Sequence, residues 1–173
     1  MNRIIHSWKK ISLIEQEVTL PTGVKLQHTT ITHPGATVIL PVTRDNKIII
    51  LRQYRPSIQA WLYELPAGTM ESGESPLECA QRELAEEAGL AAEQWTELGQ
   101  ITPLAGFCNE VQHLFLAHDL TETDGFQQDE DEVIEVETFS LAALEQKIIN
   151  NTLTDAKTIA CLSRAKLCGF LSA

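Results

Sequence analysis

The chain has 173 residues, of which 43% are hydrophobic, and its formal net charge is −11. This length fits one domain with a real core, and no apolar run approaches the ~18 residues that a membrane-spanning helix needs. A protein this acidic repels the phosphate backbone of polymeric nucleic acid, and no basic stripe offsets the repulsion. We therefore expect neither a membrane partner nor a polymeric nucleic acid partner.

The N-terminus, MNRIIHSWKK, lacks the long apolar stretch of a secretory signal, which favours a cytoplasmic protein. The four cysteines are Cys79, Cys108, Cys161 and Cys168, and none belongs to a CxxC pair. Because the chain is neither short nor rich in cysteine, reduced thiols are favoured over disulfides or a zinc site.

The first third of the chain is predicted to consist mainly of strands. Turn signals at residues 21–23 and 33–35 separate its first extended segments. Arg44-Asp45-Asn46 lies between two apolar runs and predicts a hairpin. The predicted extended segments are residues 10–20, 24–33, 36–42, 47–51 and 61–65.

A helix is predicted over residues 76–88. Ser75 suits the N-cap, Pro76 suits the first helical position, and Glu78 completes a capping box. Gly89 suits the C-terminal end because it tolerates a positive φ. At about 100° per residue, the expected buried stripe consists of Leu77, Ala80, Leu84 and Ala88.

The second half of the chain is predicted to return to strands and then to end in helices. Strands are expected at residues 95–102, 110–118 and 133–139, a polar loop at 120–132, and helices at 141–150 and 155–167. Strands on both sides of one central helix, with helices at the end, indicate an α+β sandwich.

The predicted central helix carries an unusual excess of negative charge. Six glutamates lie between Gly68 and Leu90, residues 71–87 contain no lysine, and only Arg82 compensates. Glu83 and Glu87 are four residues apart, so their carboxylates repel each other on one face of the helix. A solvated acidic face is the alternative, but clustered carboxylates without lysine favour a site for Mg²⁺ or Mn²⁺.

Residues 68–90, GTMESGESPLECAQRELAEEAGL, fit the pattern G-x5-E-x7-R-E-L-x-E-E-x-G-L without a gap. This segment resembles the Nudix box, the signature of hydrolases that cleave nucleoside diphosphates linked to another moiety. The resemblance implies a Nudix-type α/β/α sandwich with a mixed sheet in a domain of residues 36–173. Residues 1–35 would then form an N-terminal antiparallel β extension that belongs to a dimer interface.

The resemblance also implies roles for the residues of the box. Divalent metals would be held by the carbonyl of Ala67 and the carboxylates of Glu83, Glu86 and Glu87. Arg82 would orient the carboxylates, Glu74 would tie the loop to the helix, and Gly68 would allow a tight turn.

Several segments outside the box are similar, in their order along the chain, to the ADP-ribose pyrophosphatase branch of the family. They are the segments 51–56, 64–68, 102–110 and 129–136. In that branch the arginine at Arg55 contacts substrate phosphate, a task suited to its planar fork, and Arg52 is a weaker candidate. Glu110 would contact the sugar end of the substrate.

Two further roles follow from the same branch. A loop carboxylate, Glu130 or Glu132, would activate water or complete the metal shell, although a solvated acidic loop is a serious alternative. Trp8, on an N-terminal sheet that crosses to a partner subunit, would stack on the adenine, whereas core packing is the commoner role of a tryptophan.

The function that the resemblance implies is metal-dependent hydrolysis of ADP-ribose to AMP and ribose 5-phosphate by a homodimer. The substrate would be a small nucleoside diphosphate sugar. A hydrolase of GDP-mannose or ADP-glucose is one alternative, because the same metal cluster serves both. A non-catalytic nucleotide sensor is another, which the complete box disfavours. An acidic surface of a structural protein would leave the unbalanced helix unexplained.

Overall fold

The computed structural model describes residues 3–124 and 133–171. Its elements in chain order are β1 (Arg3–Trp8), β2 (Ile11–Thr19), β3 (Lys25–Thr32), β4 (Ala36–Pro41), β5 (Lys47–Arg55), β6 (Ala60–Glu64), β7 (Ala67–Thr69), α1 (Pro76–Ala88), β8 (Leu90–Ile101), β9 (Gln112–Glu122), β10 (Ile134–Ser140), α2 (Leu141–Ile149) and α3 (Ala156–Leu167). Within these ranges, every helix is too short or too polar to cross a membrane.

The strands form three sheets. An antiparallel sheet of β1, β2 and β3 lies at the N-terminus, and a second antiparallel sheet has the order β10-β5-β6. The third sheet has the order β7-β4-β9-β8 and is mixed, because β4 and β9 run parallel while their outer neighbours run antiparallel. The predicted α+β class, with its mixed sheet and N-terminal antiparallel extension, is confirmed.

The mixed sheet separates two helical layers, because successive residues of a strand point to opposite faces. Ile39 of β4 packs with α1, in a cluster that also contains Ala80, Leu84, Phe115 and Ala117. The other face belongs to the larger core, whose members include Val38, Leu40, Leu114 and Leu116 of the sheet and Leu144, Cys161 and Leu162 of α2 and α3. This arrangement is the α/β/α order of layers that was expected.

The box helix has the predicted bounds and caps. The Ser75 hydroxyl accepts a hydrogen bond from the Glu78 N–H at 3.3 Å, and the Glu78 carboxylate accepts one from the Ser75 N–H at 2.8 Å. At the other end, Gly89 has a φ of 65°, in the left-handed region that glycine adopts without strain. These local signals explain why the helix begins and ends where it does.

The buried face of α1 differs from the predicted stripe. Ala80 and Leu84 are buried, but Leu77 is 39% exposed, and Cys79 and Glu87 are buried instead. The helix packs against β7, the edge strand of the mixed sheet, as well as against β4 and β8. Because α1 contacts β7, the face of the helix that carries Glu87 is buried. The spacing of apolar residues does not predict this burial.

Two other strand predictions need correction. The turn at residues 44–46 is present, but β4 and β5 share a bridge between Val42 and Ile48 and then enter different sheets. Strand β1 was not predicted at all, because Lys9 and Lys10 form the turn that joins it to β2, and Lys9 takes a φ of 47° without a glycine or asparagine signal. All four cysteines are free, as expected.

Candidate active site

A cavity of about 480 Å³ lies between the N-terminal sheet and the box. One wall is the turn of residues 8–11, which joins β1 to β2. The opposite wall combines residues 67–69 of β7 with Arg82, Glu83, Glu86 and Glu87 of α1. Arg55, at the end of β5, and Glu71 complete the lining. The cavity thus gathers residues from segments that are far apart in the sequence.

Arg82 holds three carboxylates of the box together. Its Nε donates to Glu74 at 2.8 Å, and its Nη1 donates to Glu83 at 2.7 Å and to Glu86 at 2.8 Å. The hydrogen bond with Glu74 is the main reason that the pKa of Arg82 is raised, and it lowers the pKa of the Glu74 carboxyl to about 2. Both groups therefore stay charged at any physiological pH, and the loop before α1 is tied to the helix.

Glu87 is fixed by the backbone of β7. Its side chain is buried, and its Oε2 accepts a hydrogen bond from the Ala67 N–H at 2.8 Å. Ala67 is held in turn, because β7 pairs with β4 and Ala67 lies beside Val38. This contact joins the strand that carries the predicted carbonyl ligand to the helix that carries the predicted carboxylate ligands.

Gly68 is required for space, not for a turn. The residue lies in strand β7, and its φ is outside the left-handed region that would favour glycine. A Cβ at this position would lie 1.9 Å from Oε1 of Glu83. The expectation of a tight turn is therefore wrong: the missing side chain leaves room for the Glu83 carboxylate to lie against the strand.

The donor groups fit a hard divalent cation. Glu83, Glu86, Glu87 and the Ala67 carbonyl offer only oxygen ligands, the type that Mg²⁺ and Mn²⁺ prefer. Among residues 3–124 and 133–171, no three acidic, histidine or cysteine side chains converge as a preformed ligand set. Glu83 and Glu86 point to Arg82 in this structure, so coordination requires these carboxylates to share or leave that partner.

Arg55 lies in the cavity wall on a buried acidic partner. Its Nε and Nη2 donate to the two carboxylate oxygens of Glu64 at 2.8 and 2.7 Å, and Lys157 also contacts Glu64. The hydrogen bond with Glu64 is the main reason that the pKa of Arg55 is raised. Burial alone would raise the pKa of Glu64, but Arg55 and Lys157 together lower it, so the group is charged despite being only 2% exposed.

The structure brings some predicted substrate residues to the cavity and leaves others outside its lining. Trp8 is in the wall, 47% exposed, with its ring stacked on His6. Arg52 instead pairs with Glu135 at 2.7 Å and lies over the ring of Trp61. Their roles, like those of the box residues, stay predictions.

For three predicted acidic residues the structure describes no contact with the cavity: one is not part of its lining, and two fall outside the described residues. Glu110 accepts a hydrogen bond from Gln112 at 2.8 Å and is not one of the residues that line the cavity. Glu130 and Glu132 fall in the segment 125–132, outside the described residues. The identity of the water-activating carboxylate therefore stays a prediction.

Lys9, Lys10 and Glu71 were not identified from the sequence as site residues. Lys10 forms an ion pair with Glu71 at 3.0 Å, which joins the N-terminal turn to the loop of the box across the cavity. The two residues are 61 positions apart, so no local sequence pattern predicts the contact. The sequence feature that could have indicated these site residues is the pair of lysines beside Trp8 in an acidic chain.

Comparisons with known proteins found similar sequences over most of the chain. The model of the NUDIX domain family matches residues 32–160. The chain is 37% identical to an ADP-ribose pyrophosphatase of Bacillus subtilis (strain 168), covering 89% of this chain and 84% of the relative. It is 34% identical to a methanol dehydrogenase activator of Bacillus methanolicus, covering 90% and 84%.

A solved structure shows the same fold. The crystal structure of an ADP compounds hydrolase superposes with a TM-score of 0.82, covering 99% of this chain and 95% of that chain, at 20% sequence identity. The likeness includes the N-terminal sheet, since nearly the whole chain is covered.

Replacement of Gly68 by alanine tests the space that Glu83 occupies. Because the new Cβ would overlap the Glu83 carboxylate, we expect Gly68→Ala to weaken Mn²⁺ binding about tenfold or more, measured by calorimetric titration. Gly106→Ala is the matched control, because an added Cβ there meets no described atom within 4 Å. Unchanged Mn²⁺ affinity in Gly68→Ala would contradict the assignment.

The lowered pKa of Glu74 predicts a dependence of stability on acid. The pKa is about 2 in the folded protein against an ordinary value of 4.5, so the stabilisation is complete above pH 4.5 and is lost as the pH falls toward 2. We therefore expect the difference in free energy of unfolding between wild type and Glu74→Gln to shrink over this range. Urea unfolding at a series of pH values measures it, with Glu93→Gln as the control for loss of an exposed carboxylate. A difference that stays constant with pH would contradict the pairing.

Proposed function

The chain belongs to the Nudix family, and we propose that it hydrolyses the diphosphate of ADP-ribose to AMP and ribose 5-phosphate, with Mg²⁺ as cofactor and Mn²⁺ as a possible substitute. In this reaction, water adds its oxygen to one phosphorus, the bridging P–O bond breaks, and the proton of the water passes to a base. The proposal assigns the chemistry to the cavity between the N-terminal turn and α1.

One observation carries the proposal: the same cavity presents carboxylates, cations and an exposed aromatic ring. Its charged lining residues are Lys9, Lys10, Arg55, Glu71, Arg82, Glu83, Glu86 and Glu87. Carboxylates suit the metal ions that accompany a diphosphate, and an arginine suits its oxygens. The ring of Trp8 suits a purine base. A nucleoside diphosphate linked to a sugar has this combination of parts.

The choice of ADP-ribose within this class is supported by a relative. The Bacillus subtilis protein is named an ADP-ribose pyrophosphatase, and the alignment with this chain covers most of both proteins. The metal site alone would serve other nucleoside diphosphate sugars equally well, so the base and sugar decide the preference.

Each group of residues has a separate task in the proposed reaction. Glu83, Glu86, Glu87 and the Ala67 carbonyl would hold the metal, which would supply positive charge to the diphosphate and to the leaving phosphate. Arg55 binds and orients the diphosphate, since Glu64 fixes its guanidinium at the cavity wall. Trp8 stacks on the adenine. Glu130 or Glu132 accepts the proton of the attacking water.

We also propose a homodimer that uses the N-terminal sheet. Strand β1 is at the edge of its sheet, and Ile4 and Ile5 are 67% and 46% exposed there. An apolar edge strand is unfavourable in water and suits a second copy of the chain. The proposed compartment is the cytoplasm, which cell fractionation would check.

The first test is phosphate release from ADP-ribose, ADP-glucose, GDP-mannose and the nucleoside triphosphates, with phosphatase added to report the products. We expect the highest kcat/KM for ADP-ribose in the presence of Mg²⁺. Preference for a hexose nucleotide would contradict the substrate but leave the metal site in place. Absence of turnover on every compound would contradict the enzymatic proposal.

In the same assay, Glu87→Gln is expected to lose about a hundredfold or more in kcat, because an amide is a poor metal ligand. The fold should persist, since the amide oxygen can still accept the hydrogen bond from Ala67. Glu93→Gln, on the exposed surface of β8, is the control for loss of one carboxylate. Turnover near the wild-type rate at saturating Mg²⁺ would refute the assignment.

The dimer is tested by light scattering on purified protein. We expect a dimer for the wild type and a monomer for Ile4→Asp, because a charge at the buried interface would be desolvated without a partner. Ile149→Asp is the matched control, because Ile149 is 76% exposed on α2, away from the N-terminal sheet. A monomeric wild type would overturn this part of the proposal.

A further inference from the structure

Arg55 and three charged side chains behind it, Glu64, Lys157 and Asp155, form a row of alternating charge. Arg55 grips Glu64 through two hydrogen bonds, Lys157 contacts the same Glu64 oxygen that Nη2 of Arg55 uses, and Lys157 also pairs with Asp155 at 3.1 Å. The side chain of Glu64 is 2% exposed, and those of Lys157 and Asp155 are each 13% exposed. Such buried charges are stable only when they are paired, so the four groups depend on one another.

Glu64 binds only one edge of the Arg55 guanidinium. Glu64 accepts from Nε and Nη2, which is the bidentate geometry of a planar fork. The two Nη1 donors and the second Nη2 donor are not used by this pair, and a phosphate oxygen can accept from them. The direction of Arg55 in the cavity is therefore set by the position of the Glu64 carboxylate.

Lys157 lies in the first turn of α3, which hydrogen bonds hold in place. Asp155 is the N-cap of α3 and accepts from the backbone N–H and the hydroxyl of Thr158, at 2.9 and 2.6 Å. The same Thr158 hydroxyl accepts from the backbone N–H of Leu65 at 2.8 Å, and Thr158 is fully buried. The first turn of α3 is thereby locked to the residue that follows Glu64, and Lys157 reaches the carboxylate from a fixed point.

We propose that Lys157 is a positioning residue for the substrate: it holds Glu64, which holds Arg55 in the direction that binds the diphosphate. The proposal rests on the proposed function, in which Arg55 contacts the diphosphate. Without Lys157, Oε2 of Glu64 would lose one of its two donors, and Arg55 alone would hold the carboxylate.

The experiment is a double-mutant cycle in KM for ADP-ribose at saturating Mg²⁺. Lys157→Met is expected to raise KM about tenfold or more and to change kcat little, because a contact present in both the bound substrate and the transition state affects KM alone. In an Arg55→Met background, the same substitution should have no further effect on KM. Lys157→Arg, which keeps the charge, should restore most of the wild-type affinity.

Two further variants separate positioning from stability. Lys166→Met removes a lysine from the same helix that pairs with Glu145 at the surface, and it should leave KM unchanged. Lys157→Leu, which also removes the donor to Glu64, replaces Lys157→Met in the cycle if that protein does not fold. Calorimetric titration of ADP-ribose into the same variants on a Glu87→Gln background should give the same pattern in dissociation constants.

The outcomes distinguish this inference from the proposed function. A wild type that does not hydrolyse ADP-ribose contradicts the proposed function and removes the basis of the inference. A wild type that hydrolyses it, with KM unchanged in Lys157→Met, contradicts the inference alone. An equal rise in KM with and without Arg55 also contradicts it, because Lys157 would then act by another route.

Discussion

The site depends on one arginine among the glutamates of α1. A helix with clustered carboxylates and no lysine is destabilised by repulsion, and Arg82 offsets this by contacting Glu74, Glu83 and Glu86 at once. The same contacts set where the carboxylates point. The same hydrogen bonds from Arg82 therefore reduce the repulsion within the helix and orient the carboxylates. Loss of Arg82 would affect both the stability of the helix and the geometry of the site.

Close packing between α1 and β7 gives this arrangement its accuracy. Glu83 lies where a side chain at position 68 would be, and Glu87 is hydrogen bonded to the Ala67 backbone. Strand β7 is in turn held in the mixed sheet by β4. Backbone carbonyl and carboxylates thus belong to two rigid elements, which is the condition for a metal site of defined geometry.

The rest of the cavity lining, outside α1 and β7, consists of side chains that are held by residues from other parts of the chain. Arg55 is directed by Glu64, which is itself held from α3. The N-terminal turn adds Trp8 and two lysines from outside the region that the family model matches. The acidic residues of the cavity thus come from the box, while Arg55, Trp8 and the two lysines come from other parts of the chain.

Helix α1, its caps and its acidic cluster were predictable from the sequence, because capping and repulsion act between residues a few positions apart. The burial of Glu87 and the space at Gly68 were not, because both depend on a strand packed against the helix. Contacts such as Lys10 with Glu71 and Lys157 with Glu64 join residues 61 and 93 positions apart. The sequence by itself determined the family and the acidic residues that are predicted to hold a metal; only the tertiary structure decided which distant cations pair with which acidic side chains, because no local rule links residues so far apart.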